Sequence, residues 1–158
     1  PWVVEVDQVG AIQAVGPAEA GYKPTDPQIA FHLARFVEQV RSVPADPVIL
    51  RQNWLRAYAY LTHRGGATLN DYARTNDPFA KVGQVQVAVD VSSVIRASPN
   101  SFRVAWTERR YVDGSLASTE RWTAILGVVV QSPSTRDQLR RNPLGVFVQA
   151  LDWSKELG

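Results

Sequence analysis

The chain has 158 residues and is 45% hydrophobic, which suits one globular domain, residues 1–158, that buries about two thirds of its unfolded-state surface. The absence of cysteine excludes disulfides, thiolate catalysis and zinc–thiolate sites. A formal net charge of +2 is far from the charge density of a protein that neutralises many phosphates. The sequence contains no run of about 18 or more apolar residues, the length needed to span a membrane.

A short strand and a loop are predicted at the start of the chain. Residues 2–6 read as an opening strand, and the glycines and prolines between residues 10 and 24 indicate a loop. Thr25-Asp26-Pro27 then begins a helix, because either of the first two side chains can accept from free backbone amides and the proline fits the first turn.

This first helix is predicted to run to about Ser42 with one apolar face. Its buried stripe consists of Ile29, Leu33, Phe36, Val37 and Val40. We expect His32 on the polar side, together with a surface ion pair between Glu38 and Arg41.

A second helix is predicted from Asp46-Pro47 to about His63. Positive charge at His63 and Arg64 suits the negative end of the helix dipole, and Gly65-Gly66 supplies a stop signal. Its apolar stripe consists of Leu50, Trp54, Tyr58 and Leu61.

Two further helical segments are shorter. One is predicted over residues 68–74, with Thr68 and Asp71 spaced as a capping box. The other is a helical turn that Ser134 caps and that ends at Arg141.

Three long strand-like runs lie between these helical segments. They cover residues 84–97, 101–112 and 115–131, and short polar links separate them. Alternating apolar residues give each run one buried face, so the simplest prediction is an antiparallel meander.

The pairing of the second and third runs can be predicted further. A strict two-residue Asp113-Gly114 turn would put Trp106 opposite Arg121. Placing Trp106 on the same face as Trp122 needs one extra residue, so we predict that Gly114 occupies a left-handed bulge position.

A final strand is predicted from Val146 to Trp153. One face of this strand would carry Val146, Val148 and Ala150, and the other face would carry Phe147, Leu151 and Trp153. Because strands and helices are segregated along the chain, we predict an α+β domain with helices packed on one face of a curved antiparallel sheet.

Few residues indicate catalysis. His32 and His63 are best explained as structural, and Asp71, Asp77 and Asp90 each fit a cap, a turn or the polar face of a strand. Of the five tryptophans, Trp54 and Trp122 have core positions, whereas Trp2 and Trp153 lie near the chain ends and are better candidates for a surface.

Four stretches carry a resemblance that covers nearly the whole chain. They are residues 1–7 (Pro-Trp-Val-Val-Glu-Val-Asp), 69–73 (Leu-Asn-Asp-Tyr-Ala), 77–80 (Asp-Pro-Phe-Ala) and Asn142-Pro143-Leu144-Gly145. With them the chain resembles the TrbF-type conjugal transfer proteins, relatives of the eighth component of VirB-type type IV secretion systems. The last stretch matches the Asn-Pro-x-Gly signature of that family.

The resemblance implies a cystatin-like fold, similar to nuclear transport factor two, in the periplasmic domain of a single-pass inner-membrane protein of a Gram-negative bacterium. We therefore expect a membrane anchor that precedes Pro1. The family has no known catalytic activity or cofactor. Its members are assembly factors that associate with themselves and contact other channel subunits, so we expect a weak homo-oligomer, a dimer, and no direct contact with nucleic acid.

The resemblance also singles out Asn142, Pro143, Leu144 and Gly145 as an interaction motif. In the family this motif is linked to domain architecture and to self-association or partner contacts. The same residues make a good turn, because proline fixes φ and glycine is free to adopt a positive φ. A turn alone and a turn that also forms an interface are both open at this point.

Two other functions are weighed against the assembly role. A small-molecule-binding protein or isomerase-like enzyme on the same fold would need Tyr58, Tyr72 or Asp90 to point into a deep cleft. A nucleic-acid-binding protein would use the arginines between residues 136 and 141, which the low charge density disfavours.

Overall fold

The computed structural model describes residues 2–6, 12–17 and 23–157. The elements in chain order are β1 (Trp2–Val6), β2 (Ile12–Pro17), α1 (Asp26–Arg41), α2 (Pro47–Tyr58), α3 (His63–Thr75), β3 (Val85–Ser98), β4 (Ser101–Val112), β5 (Ser115–Val130), α4 (Arg136–Arg141) and β6 (Val146–Lys155). None of the described helices combines the length and the apolar character needed to cross a membrane.

The strands form two antiparallel sheets. β3, β4, β5 and β6 make a four-stranded sheet in sequence order, which confirms the predicted meander and final strand. β1 and β2 pair with each other in a separate two-stranded sheet. The predicted loop between residues 10 and 24 is therefore wrong over 12–17, while the rest of that loop up to residue 22 lies outside the described residues.

The helices pack on one face of the four-stranded sheet, which confirms the α+β prediction. The apolar faces of α1 and α2 meet the inner faces of β4, β5 and β6 in one core. Its fully buried large side chains are Phe36, Leu33, Val37, Leu50, Leu69, Phe102, Val104, Trp106, Leu126, Val146 and Val148.

Helix α1 begins as predicted but its faces differ from the prediction. Thr25 caps it in a capping box with Gln28. The expected polar position of His32 is wrong, because His32 is buried against Tyr60, which follows α2. The expected Glu38–Arg41 ion pair is also wrong, since Arg41 is buried and turns away from its own helix.

The boundary between α2 and α3 is the largest correction. α2 ends at Tyr58, and the backbone of Tyr60 to Thr62 runs beside β6 with two hydrogen bonds to Val148. Thr62 then caps α3. The predicted stop at residues 63–66 is therefore a helix start, because pairing with a strand edge outweighed the local signal.

Gly65 lies inside α3 because the helix passes very close to β6. A Cβ atom at Gly65 would overlap the carbonyl oxygen of Val148. Gly66 has no such neighbour, since its nearest atom is a Tyr58 ring carbon at 3.9 Å from a Cβ built there. One glycine of the pair thus serves close packing rather than a helix end.

The predicted caps of the two shorter helical segments were also displaced. Thr68 is inside α3 and donates to the carbonyl of Arg64, so the predicted capping box at Thr68 is wrong. α4 is capped by Thr135, whose side chain accepts from the amide of Gln138, and not by Ser134.

The pairing of β4 with β5 places Trp106 opposite Trp122, as predicted. Gly114 has a positive φ of 83°, but Asp113 also has a positive φ, of 49°, so the two residues form a tight hairpin turn. The extra residue is Ala117, where the register shifts. The bulge was predicted correctly in its effect and wrongly in its position.

A second bulge changes the faces of β6. The register with β5 shifts at Gln149, so Leu151 and Trp153 join the inner face with Val146 and Val148. The prediction that placed Trp153 on the face of the strand away from Val146, and at the surface, is wrong because of this bulge. Trp153 packs at the rim of the core, while the side chain of Trp2 lies outside the described residues.

Candidate functional site

A buried ion pair connects α1 to β4 at the open end of the core. The Nε and a terminal amino group of Arg41 donate to the two carboxylate oxygens of Glu108, over 2.6 and 3.0 Å. The Trp106 indole donates to the same carboxylate over 2.8 Å. Both charged side chains are less than a tenth exposed, so each charge depends on its partner.

Aromatic rings enclose the guanidinium of Arg41. It lies 4.1 Å from the centroid of the Trp122 ring and 5.1 Å from that of Trp153. The hydroxyl of Tyr72 accepts from Arg41 over 2.9 Å, and the Tyr72 ring meets Trp153 edge to face. Cation–π contacts of this kind stabilise a charge that has left water.

This ion pair forms the inner wall of a cleft of about 650 Å³ between the helices and the sheet. Its mouth is charged, with Lys81 and Arg110 of one sign and Glu120 of the other. Burial raises the pKa of the Tyr72 phenol, an effect that the Arg41 charge partly opposes. Tyr72 therefore stays protonated at neutral pH.

A second buried polar contact lies away from the cleft. The Nδ1 atom of His32 is 3.1 Å from the Tyr60 hydroxyl, and the Nε2 atom has no partner among the described residues. Burial, with a smaller contribution from the nearby Arg35 charge, lowers the pKa of His32 to about 4. Burial raises the pKa of Tyr60 to about 12.

The segment Asn142-Pro143-Leu144-Gly145 forms the turn between α4 and β6. Asn142 is 2% exposed, and its amide donates to the carbonyls of Ala59 and Val146 over 3.0 and 2.8 Å. Its side-chain oxygen accepts from the Val146 amide over 3.1 Å. One side chain thus joins the end of α2, the end of α4 and the start of β6.

Gly145 completes this turn in a conformation that favours glycine. Its φ is 65°, and a Cβ atom there would overlap the carbonyl oxygen of Gln131. The Gly145 carbonyl accepts from the Gln131 amide over 2.8 Å, which extends the contact between β5 and β6. All four residues of the segment are buried, so its side chains shape the turn from the inside.

The remaining sequence candidates are dispersed. Asp71 pairs with Arg74, Asp77 accepts from the Phe79 amide, and Asp90 is exposed on β3. Within residues 2–6, 12–17 and 23–157, no three His, Asp or Glu side chains are grouped to hold a metal ion.

The other two sequence candidates have local partners. Tyr58 donates to the Asn70 side chain at the surface. Of the arginines on α4, Arg141 pairs with Asp137.

Sequence reasoning missed the Arg41–Glu108 pair. Glu108 alternates with Trp106 on the inner face of β4, and a carboxylate on a buried strand face needs a cation nearby. That signal was present in the sequence, but it does not identify which of the 17 basic residues is the partner.

The sequence and the fold both match known proteins. A protein-family model described as "VirB8 protein" matches residues 1–156. The conjugal transfer protein TrbF of Rhizobium radiobacter is 34% identical over 162 residues, which cover 99% of this chain and 73% of that protein.

Two solved structures share the fold at low sequence identity. The VirB8 protein of Agrobacterium tumefaciens is 15% identical, with a TM-score of 0.72 over 87% of this chain and 99% of that one. A TraE protein in complex with 4-(1H-pyrrol-1-yl)pyridine-2-carboxylic acid is 20% identical, also with a TM-score of 0.72, over 85% of this chain and 100% of that one.

Proposed function

Because the chain belongs to the VirB8 family of type IV secretion proteins, we propose that it is a non-enzymatic assembly subunit of a bacterial conjugal transfer system. In this role it associates weakly with itself, as a dimer, and contacts other channel components. Residues 1–158 form one periplasmic domain, which a single N-terminal helix anchors in the inner membrane of a Gram-negative bacterium. The domain needs no cofactor and does not contact the transferred nucleic acid directly.

The observation that best supports a non-enzymatic role is the state of the polar groups inside the cleft. The Glu108 carboxylate is engaged by Arg41 and by the Trp106 indole, and Tyr72 accepts from the same guanidinium. A general acid or base must have a proton or a lone pair available to a substrate. Here the Glu108 carboxylate is held by Arg41 and Trp106, and this contact stabilises the fold.

A membrane anchor makes weak self-association sufficient for assembly. Anchored chains are confined to two dimensions, so their effective concentration is high and a modest affinity between domains suffices. The isolated domain should then associate only at high concentration.

We propose that the turn at Asn142–Gly145 contributes to assembly indirectly. Its side chains are buried, so they act by fixing the relative positions of α2, α4 and β6. An interface that uses the outer surfaces of these elements would depend on the turn without touching Asn142 itself.

A transfer assay tests the assembly role. A donor strain that lacks the gene should fail to transfer its plasmid, and the full-length protein should restore transfer. The variant Tyr72→Phe, which removes the hydroxyl that accepts from Arg41 in the cleft, should restore transfer equally well. Loss of transfer with Tyr72→Phe, in a protein of normal abundance, would favour chemistry in the cleft.

A second candidate function is the binding of a small aromatic carboxylate in the same cleft. Trp122 and Trp153 provide ring surfaces, and Lys81 and Arg110 are exposed cations at the mouth that make no ion pair with another described residue. The TraE relative has been solved with such a compound. The chemistry of the cleft is compatible with that class of ligand.

Tryptophan fluorescence tests this candidate with 4-(1H-pyrrol-1-yl)pyridine-2-carboxylic acid as the probe. Binding in the cleft should quench the fluorescence of Trp122 and Trp153. The variant Arg110→Ala should bind the compound more weakly. The matched control is Arg103→Ala, an exposed arginine on the outer face of the same strand. Equal binding by both variants would place the compound elsewhere.

A further inference from the structure

The outer face of α2 exposes three large apolar side chains. Val48 is 60% exposed and Leu55 is 56% exposed, and Ile49 lies beside them at 47%. Val48, Gln52, Leu55 and Ala59 follow one another at helical spacing, so they lie within about 60° of one another around the helix. This stripe points away from the core face, which carries Leu50, Trp54 and Ala57.

The stripe forms one wall of a groove against α4. The groove has a volume of about 640 Å³ and is lined by Gln52, Leu55, Arg56, Ala59, Arg140 and Arg141. Leu55 and Ala59 form the apolar part of its lining. The arginines Arg56, Arg140 and Arg141 also line it. It is a narrow apolar surface with a positively charged border.

Within residues 23–157, the positive charge of this region is largely uncompensated. Arg56 and Arg140, together with Arg51 on the other side of the stripe, are exposed and bond to no other described side chain. Within residues 23–157, the acids on these two helices and their caps are Asp137, which pairs with Arg141, and Asp46, which caps α2. The groove therefore attracts a partner that is apolar on one side and acidic at its edges.

We propose that the groove between α2 and α4 is a docking site for an acidic amphipathic helix of another protein. An apolar ridge of such a helix would lie on Leu55 and Ala59, and its flanking carboxylates would pair with Arg56 and Arg140. Helix-in-groove recognition has this form, with apolar anchors at helical spacing and charges at the border. A lipid surface fits less well, because a concave groove between two helices cannot lie flat on a bilayer.

This inference deepens the proposed assembly role and rests on it, since the docked helix would belong to another subunit. It also gives the proposed role of the turn at Asn142 a physical basis, because that turn fixes α4 against the end of α2. The groove exists only while both helices keep these positions.

The test uses the 158-residue chain and two synthetic helical peptides. Both carry leucines at positions i, i+4 and i+7; one has glutamates beside them and the other has lysines. Fluorescence anisotropy should detect binding of the acidic peptide alone, with weaker binding as salt is added. Leu55→Ser and Arg56→Glu should each raise the Kd at least about tenfold, as expected for anchors near the centre of an interface.

Leu116→Ser is the matched control, because Leu116 is also 56% exposed but lies at the β4–β5 hairpin. It should leave the Kd unchanged. Equal binding of both peptides, no binding of either, or binding that Leu55→Ser and Arg56→Glu leave intact would overturn the proposal. A lipid surface would be the partner instead if the acidic peptide does not bind while the chain binds vesicles of phosphatidylglycerol and phosphatidylethanolamine, and Leu55→Ser abolishes that binding. This result would also overturn the proposal. None of these results bears on self-association, which is measured separately.

Discussion

The Arg41 guanidinium forms two hydrogen bonds with the Glu108 carboxylate across 67 positions of sequence, in a site that is closed to water on most sides. This contact joins the last turn of the first helix to β4, an inner strand of the sheet. It fixes the position of the first helix on the strands, and it forms the inner wall of the cleft between the helices and the sheet.

Removing one partner of this pair should strongly destabilise the domain. Glu108→Gln leaves the Arg41 charge buried without a counter-charge, at an expected cost of about 3–5 kcal/mol in the free energy of unfolding. Urea denaturation measures that cost. Lys155→Ala, which breaks the surface pair with Glu120, should cost less than about 1 kcal/mol. Similar losses for both variants would contradict the account of the cleft.

The two neighbouring glycines of α3 should respond in opposite directions. Gly65→Ala places a methyl group against the Val148 carbonyl and should destabilise the domain, because both backbones are held in place by hydrogen bonds. Gly66→Ala meets no close atom and should stabilise the helix by about 0.5–1 kcal/mol. Thermal unfolding of the two variants is sufficient to compare them. A stabilising Gly65→Ala would show that α3 is not tightly packed on β6.

Asn142→Ala should destabilise the domain whether or not the turn forms an interface. It leaves the carbonyls of Ala59 and Val146 and the amide of Val146 without this partner, at a cost on the order of 3 kcal/mol. Asn100→Ala, at an exposed turn, should be close to neutral. Circular dichroism during urea unfolding measures both. A neutral Asn142→Ala would mean that the turn does not depend on its asparagine, and any functional defect would then be a surface effect.

Stability should fall in mild acid because of His32. Its pKa is lowered from 6.5 to about 4 in the folded state, so protons bind more tightly to the unfolded chain. The stabilisation is complete above about pH 6.5 and is lost as the pH falls towards 4, by at most roughly 3 kcal/mol. His32→Phe should remove this part of the pH dependence, as measured by urea unfolding at several pH values. His63→Gln, at an exposed position, should retain it, and an unchanged pH profile in His32→Phe would assign the effect to other groups.

Local patterns in the sequence predicted most of the elements. Period-two alternation identified three strands of the meander, and Thr25 and Asp46 marked the helix starts that the structure contains. These signals act over a few residues, so they can be recognised without knowledge of the fold.

The errors come from contacts that are distant in sequence. Helical spacing predicts that Arg41 pairs with Glu38, three positions away, whereas its partner is Glu108 on a strand. The glycines at 65 and 66 predict a helix stop, because the strand edge that ends α2 earlier lies far along the chain. A bulge at Gln149 reversed the faces of β6, and one extra residue in a strand is not visible in an alternating pattern.

The buried motif changes how its function can be tested. Because residues 142–145 are buried, we expect a substitution there to alter the fold, so a loss of assembly in such a variant does not by itself locate an interface. Surface variants such as Leu55→Ser, which should leave stability within about 0.5 kcal/mol of the parent, separate the two effects.

Sedimentation equilibrium of the 158-residue chain over a wide concentration range tests the assembly role most directly. Gly66→Ala serves as a control, because it should stabilise the fold. Association between folded domains should be unchanged in this variant, whereas association of unfolded chains should decrease. We predict reversible self-association that grows with concentration and is the same in the parent and in Gly66→Ala. Strictly monomeric behaviour of both proteins at the highest concentration would contradict self-association of this domain.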